Sequence, residues 1–86
     1  MTTNVICMTT YGKKLEDAVA IQVKVELLEH GMTQKDLAEK VGVGRPAMNL
    51  YLNGSRSMPM PTFFSVAEAF GISPRELMTR AEARIQ

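Results

Sequence analysis

The sequence predicts an all-α fold in which five helices pack into one compact domain. A chain of 86 residues has room for a single core, and its 45% apolar content favours a packed one. Apolar residues recur at helical spacing in five stretches of the chain. Glycine, proline and capping residues separate these stretches, as expected for helix starts and ends.

The first 14 residues differ from the rest of the chain. The segment MTTNVICMTTYGKK contains β-branched residues and shows no helical period. It predicts an N-terminal arm over residues 1–14, or a short strand at Val5–Tyr11 that Gly12 ends. The folded domain is then expected over residues 15–86.

Helix one is expected from about Leu15 to Glu29, with Gly31 as the left-handed residue that ends it. Two adjacent apolar stripes run along this helix. The first stripe comprises Leu15, Ala18, Ile21, Val25 and Leu28, and the second comprises Val19, Val23 and Leu27.

Helices two and three have clear start signals. Thr33, with Asp36 three residues later, forms a capping box that opens helix two, and Gly42 stops it. Helix three is expected from about Arg45 to Leu52, with Gly44 as its N-cap. Pro46 then lies in the first turn, where a missing amide hydrogen costs no intrahelical bond.

The remaining helices follow a proline-containing loop over residues 55–61. Helix four is expected to open at Pro61 or Thr62, and Ser73 caps a helix five from Pro74 to about Ile85. The predicted buried side of helix four consists of Phe63, Val66, Ala67 and Phe70.

Helix two, a three-residue turn and a short helix three form the pattern of a helix-turn-helix over about residues 33–53, whose second helix enters the DNA major groove. MTQKDLAEKVGV at 32–43 resembles the LTQ-x-x-LA-x-x-x-GV opening of the phage lambda repressor and Cro-like family. LNGSR at 52–56 resembles that family's NGKR closure, and VAEAFGI at 66–72 stands in its LA-x-ALGV positions. The resemblance covers roughly residues 20–78 and implies a five-helix, lambda-repressor-like DNA-binding domain.

Helical spacing divides helix three into two sides. The side expected to face the core consists of Ala47, Met48, Tyr51 and Leu52. The opposite side, expected to face the groove, consists of Arg45, Pro46, Asn49, Leu50 and Asn53. Of these side chains, an arginine can bond guanine bidentately, an asparagine can read adenine or bond phosphate, and a leucine can contact a thymine methyl.

The resemblance extends the candidate DNA interface beyond helix three. Gln34 matches the family position that bonds phosphate, and Asn53 and Arg56 match positions near the DNA backbone. Gly44 replaces the common N-cap serine and Pro46 replaces a polar residue, so base reading is expected to shift toward Arg45 and Asn49. Further candidates for phosphate contacts are Lys13, Lys14, Thr33 and Ser55.

Three of these residues have a simpler interpretation. Arg45 is alternatively an ordinary surface arginine, Gln34 a helix-start residue, and Asn53 a helix C-cap. The charge pattern favours a role with an anion, because the window from Lys40 to Ala67 contains no carboxylate although the net charge is only +1.

Other classes of function lack supporting residues. One cysteine, Cys7, and one histidine, His30, provide neither a disulfide nor a metal-binding spacing, and no catalytic residue set or phosphate loop is present. We therefore predict no catalytic residues, no metal and no cofactor. No segment has the length of a membrane span or the features of a signal peptide, so a bacterial cytoplasmic or nucleoid location is expected.

These observations predict a sequence-specific regulator of transcription, a phage or bacterial repressor that binds a palindromic operator in double-stranded DNA as a homodimer. Helix five is one candidate dimer surface, through Met78, Ala81 and Ile85; the N-terminal segment with the Val19–Leu27 stripe is the other. An antitoxin or protein-interaction module with the same fold is the alternative. The sequence leaves open the operator, the sign of regulation, and whether the chain is one domain of a longer repressor.

Overall fold

A computed structural model describes the backbone of residues 2–85 and the side chains of residues 11–85. The outer limits of the predicted arm and domain, Met1 and Gln86, lie outside the described residues. The chain forms five helices: α1 (Thr2–Glu29), α2 (Gln34–Val41), α3 (Arg45–Leu52), α4 (Met60–Ala69) and α5 (Pro74–Glu82). No strand occurs within residues 2–85, which confirms the all-α class.

The predicted caps of the central helices are present. The Asp36 amide donates to Thr33 Oγ1 at 3.0 Å, and the Thr33 amide donates to Asp36 Oδ2 at 3.1 Å, completing the capping box of α2. The hydrogen bonds from the backbone and side chain of Thr33 lower the pKa of Asp36. Gly42 ends α2 at φ +83°, and Gly44 precedes α3 in an extended conformation. The bounds predicted for helix three are confirmed.

The N-terminal segment is helical, so the strand predicted at Val5–Tyr11 is wrong. A lone strand has no partner for its backbone in an all-α chain, whereas each residue added to an existing helix forms a bond without a new nucleus. The weaker helix propensity of β-branched residues, at most about 0.7 kcal/mol each, does not outweigh this difference. A separate role for residues 1–14 as an arm stays a prediction.

The burial of α1 selects the second of its two apolar stripes. Val19, Val23 and Leu27 belong to the core, whereas Ile21 is 46% and Leu28 is 82% exposed. The Val19–Leu27 stripe, one of the candidate dimer surfaces, is therefore buried within the chain. Adjacent stripes are equally apolar, so only the positions of the other helices decide which one is buried.

The core consists of side chains from all five helices. The largest apolar side chains with less than 2% exposure are Val23, Leu37, Met48, Leu52, Val66 and Leu77. The predicted inner side of α4 is confirmed, since Phe63, Val66, Ala67 and Phe70 are all buried. The helix itself begins slightly earlier than predicted, at Met60, with Pro61 in its first turn.

Helix α5 closes the bundle against α1 and ends at Glu82, three residues before the predicted end. Ala81 is fully buried in the core, so its assignment to a dimer interface is wrong. Met78 and Ile85 are partly buried and pack against the same core. The apolar side of α5 packs against α1 and α4 within the chain.

A buried carboxylate joins α1 to α5. Glu26 is 1% exposed, and its Oε2 accepts hydrogen bonds from Gln22 Nε2 and from Arg80 Nη1, both at 2.7 Å. Arg84 Nε in turn donates to Gln22 Oε1 at 2.6 Å. Burial by itself would raise the pKa of Glu26, but the hydrogen bonds and the neighbouring cationic charge lower it below its ordinary value.

Two turn glycines provide a matched test of the cap geometry. Gly44 has φ −67°, and a Cβ added there would lie 3.7 Å from Pro46 Cδ, an ordinary contact. Gly44→Ser therefore adds an acceptor for the Ala47 amide without strain, and should raise the free energy of unfolding by about 0.5–1 kcal/mol. Gly42→Ser, at φ +83°, should lower it by about 1–2 kcal/mol. Urea unfolding followed by circular dichroism measures both; changes of the same sign would contradict the assigned backbone.

The Glu26 network predicts an acid-dependent loss of stability. Because folding lowers the pKa of Glu26, its contribution is complete above the unfolded value of about 4.5 and is lost as pH falls through the folded value. Glu26→Gln should reduce the free energy of unfolding at pH 7 by about 1–3 kcal/mol, and the difference from wild type should shrink in acid. Urea titrations across this range test it, with the exposed Glu68→Gln as control. A difference that is independent of pH would contradict the role of the charge.

Candidate nucleic-acid interface

The first turns of α2 and α3 form a shallow groove open to solvent. The residues that line it are Thr33, Gln34, Lys35, Arg45, Pro46 and Asn49. Two of these six are cations and none is a carboxylate. The groove therefore has the charge that an anionic ligand requires.

The start of α3 leaves its leading side chain free to face solvent. No side chain accepts from the first-turn amides of this helix, because its N-cap is Gly44. Pro46 lies in the first turn and lacks an amide hydrogen, so the backbone donors of this turn belong to the neighbouring residues. Arg45 is exposed in front of this proline, at the first helical position.

The rest of α3 has the two sides that its spacing predicts. Met48 and Leu52 are 0% and 1% exposed and fix the helix to the core. Asn49 is exposed, and Leu50 is 38% exposed on the same outer side. These positions agree with the predicted groove-facing set, while the contacts of each residue with DNA stay a prediction.

The end of α3 turns back through a short hydrogen-bonded loop. The Leu50 carbonyl accepts from the amides of Ser55 and Arg56 at 3.0 and 3.3 Å. Asn53 is the C-cap, and its Oδ1 accepts from the Ser55 amide at 2.9 Å. The side-chain oxygen of Asn53 is therefore engaged within the turn. Its side-chain nitrogen, Nδ2, can donate to a ligand.

Several predicted residues lie away from the groove. Lys13 and Lys14 are on α1, where Lys13 Nζ lies 3.2 Å from Asp17 Oδ1. Arg56 lines a separate apolar groove beside α1, where Ser57 Oγ donates to Glu16 Oε2 at 2.7 Å. The structure thus brings together one subset of the predicted site, namely Thr33, Gln34, Arg45, Pro46 and Asn49.

Lys35 lines the groove, although the sequence does not predict it as a contact residue. Its place on the polar side of helix two indicated only a solvated lysine. In the structure it lies in the first turn of α2, beside Gln34, and lines the groove with Arg45. The available signal was its adjacency to Gln34, since neighbours in a first turn both lie near the helix N-terminus.

The two helix N-termini add to the positive potential of the groove. Each carries a partial positive charge from the aligned peptide dipoles and from amides without an intrahelical acceptor. Anions bind at such ends, and two ends at one groove suit a ligand with repeated phosphates. The Asp36 carboxylate, to which the Thr33 amide donates, offsets part of this charge at α2, whereas the first turn of α3 contains no carboxylate.

The described part of the chain offers no support for two other kinds of site. No three His, Cys, Asp or Glu side chains there come together as a metal site. None of the described helices combines the length and the apolar character needed to cross a membrane.

Comparison with solved structures identifies similar folds. The clp gene regulator ClgR of Corynebacterium glutamicum superposes with a TM-score of 0.77 at 21% identity, over 81% of this chain and 74% of that one. A second ClgR crystal structure gives the same score and identity over 84% and 94% of the two chains. A point mutant of the restriction-modification controller protein C.Esp1396I gives 0.77 at 27% identity, over 83% and 92%.

The family comparison agrees with the geometry. No curated protein sequence matches the chain. A family model described as helix-turn-helix matches residues 23–77, which span α2, α3 and α4 and more than half of the chain. The chain therefore belongs to the lambda-repressor-like helix-turn-helix family of DNA-binding regulators.

Proposed function

We propose that the protein binds a specific operator in double-stranded DNA and represses transcription by occupying a promoter in a bacterial or phage system. The observation that carries this proposal is the groove between the first turns of α2 and α3, which contains Arg45 and Asn49 but no carboxylate. Membership of a DNA-binding family supports it. The site of action is then the bacterial cytoplasm or nucleoid.

In this proposal α3 enters the major groove with its N-terminal residues at the base edges. Arg45 donates two parallel hydrogen bonds to a guanine, and Asn49 pairs with an adenine or a phosphate one turn further on. Leu50 contacts a thymine methyl. Pro46 holds the first turn in place, so the arginine reads DNA from a fixed backbone.

Phosphate contacts surround these base contacts. Gln34 and Lys35 lie at the start of α2, on the other side of the groove, and both suit contacts to the DNA backbone. Arg56 and the amide nitrogen of Asn53 are proposed to serve the same purpose beyond the end of α3. Few cations take part, so one copy is expected to bind DNA weakly and with a shallow salt dependence.

Because one copy is expected to bind DNA weakly, we propose that two copies bind a palindromic operator as a homodimer. One helix-turn-helix reads a half-site only, and two copies bind half-sites about one helical turn, or roughly 34 Å, apart. Selection from a random DNA pool tests the proposal directly. Recovery of a symmetric consensus with this spacing would support it, and failure to enrich any sequence would favour a protein-interaction module or antitoxin.

The selected operator allows a test of Arg45. Arg45→Ala should weaken binding to that operator by about 1–3 kcal/mol, with little change for random DNA, because a bidentate guanine contact is lost. Fluorescence anisotropy with labelled duplexes measures both affinities. The control is Arg75→Ala, an exposed arginine on α5 outside the groove. An equal loss on both DNAs would assign Arg45 to phosphate contact instead.

Lys35 should affect DNA binding in a different way. Lys35→Ala is expected to weaken binding to the operator and to random DNA alike, and to reduce the slope of log affinity against log salt by about 1. Anisotropy titrations over a salt series measure the slope, and Arg75→Ala should leave it unchanged. An unaltered slope would mean that Lys35 does not contact a phosphate.

A further inference from the structure

Two large apolar side chains on the outer side of α1, Ile21 and Leu28, are exposed in the described part of the chain. Ile21 and Leu28 are seven residues apart and therefore share one face, about opposite the buried Val23. Leu28 is 82% exposed, the highest value among the exposed large apolar side chains. An exposed leucine alone requires no explanation, but its surroundings here are specific.

The residues on this face follow the spacing of a helix-pairing seam. Steps of four and three connect Lys14, Ala18, Ile21, Val25 and Leu28. Of these, Lys14, Ile21 and Leu28 are exposed and Val25 is half-buried, whereas Ala18 is buried in the core of the chain. A shallow depression lies at the N-terminal end of the seam, lined on α1 by Lys14, Asp17, Ala18 and Ile21. These four positions, i, i+3, i+4 and i+7, are those that receive one apolar side chain in knobs-into-holes packing. Arg84 and Ile85 close the far wall of the depression.

Leu28 and the depression lie at opposite ends of the same face. Leu28 is near the C-terminal end of α1, and the depression is centred about ten residues earlier. An antiparallel copy of α1 places its Leu28 over this depression, and twofold symmetry makes the second contact identical. Ile21 then lies near the axis of symmetry and faces Val25 of the partner subunit, while the buried Ala18 forms the floor of the depression.

The charges beside the seam select the same orientation. Lys14 and Asp17 lie in its first half, and Lys24 and Glu29 lie in its second half. Antiparallel pairing brings Lys14 near Glu29 of the partner subunit and Asp17 near Lys24 of the partner subunit. Parallel pairing would place each charge beside its own counterpart, which is repulsive.

We propose that the outer face of α1 binds α1 of a second copy of this chain in antiparallel orientation, with Leu28 of each copy in the depression of the other. The inference rests on the proposed function, in which a palindromic operator requires two copies. It assigns the dimer contact to α1, because Ala81 on α5 and the Val19–Leu27 stripe are buried inside one chain. The reading groove on α2 and α3 stays free for DNA.

Sedimentation equilibrium without DNA tests the interface over a series of protein concentrations. Wild type should form a dimer, and Leu28→Glu should raise the dissociation constant by about a hundredfold, since two leucines leave an apolar contact. Leu28 is so exposed that this variant should keep its fold, which circular dichroism verifies. Met60→Glu is the matched control, because Met60 is 62% exposed on α4 and should not affect the dimer.

A charge exchange tests the antiparallel register. Lys14→Glu and Glu29→Lys should each weaken the dimer, and the double variant should recover most of the affinity because the two charges are exchanged. A monomeric wild type, a dimer unaffected by Leu28→Glu, or dissociation by Met60→Glu would overturn the proposed interface. Absence of recovery in the double variant would overturn the register.

The DNA experiments separate this inference from the function on which it rests. Leu28→Glu should retain half-site binding and lose the extra affinity for the full palindrome, whereas Arg45→Ala should remain dimeric and lose the operator. A dimer that depends on Leu28 but enriches no DNA sequence would retain the interface and overturn the repressor. Operator binding by a dimer that is insensitive to Leu28→Glu would support the repressor and overturn the proposed interface.

Discussion

The position of α3 depends on the burial of Met48 and Leu52. An eight-residue helix is too short to be stable alone in water, where about 12–15 residues are marginal even for good helix formers. Burying one side of α3 therefore provides its stability and also determines its rotation. Arg45 and Asn49 face outward as a direct consequence. Leu37 on α2 belongs to the same core, so both walls of the groove are held by one set of apolar contacts.

The ionic network between α1 and α5 is formed only in the observed rotation of α1. Gln22 and Glu26 lie on the same side of the helix as Val19 and Val23, and both bond to arginines of the C-terminal segment. Burial of the alternative stripe would expose Glu26 and separate it from Arg80. A buried carboxylate is tolerated only with such partners, so the position of α5, which carries Arg80, favours burial of the Val19–Leu27 stripe.

This rotation separates two surfaces of the molecule. The groove of α2 and α3 contains the cations and helix N-termini that suit DNA, while the outer face of α1 carries Ile21 and Leu28 among charges of both signs. A regulator that reads DNA as a pair needs two such surfaces that do not overlap. The capping box at Thr33 and the left-handed Gly31 connect them, since they set the direction in which α2 leaves α1.

Local sequence signals predict the bounds and caps of α2 and α3, the core side of α4 and the outer side of α3. These features depend on neighbouring residues, such as Thr33 with Asp36, Gly42 in its left-handed turn and Pro46 in a first turn. The rotation of α1, the burial of Ala81 and the presence of Lys35 in the groove become visible only in the tertiary structure. Each of these depends on which helices meet in space, because adjacent stripes and neighbouring lysines look alike until another element packs against one of them.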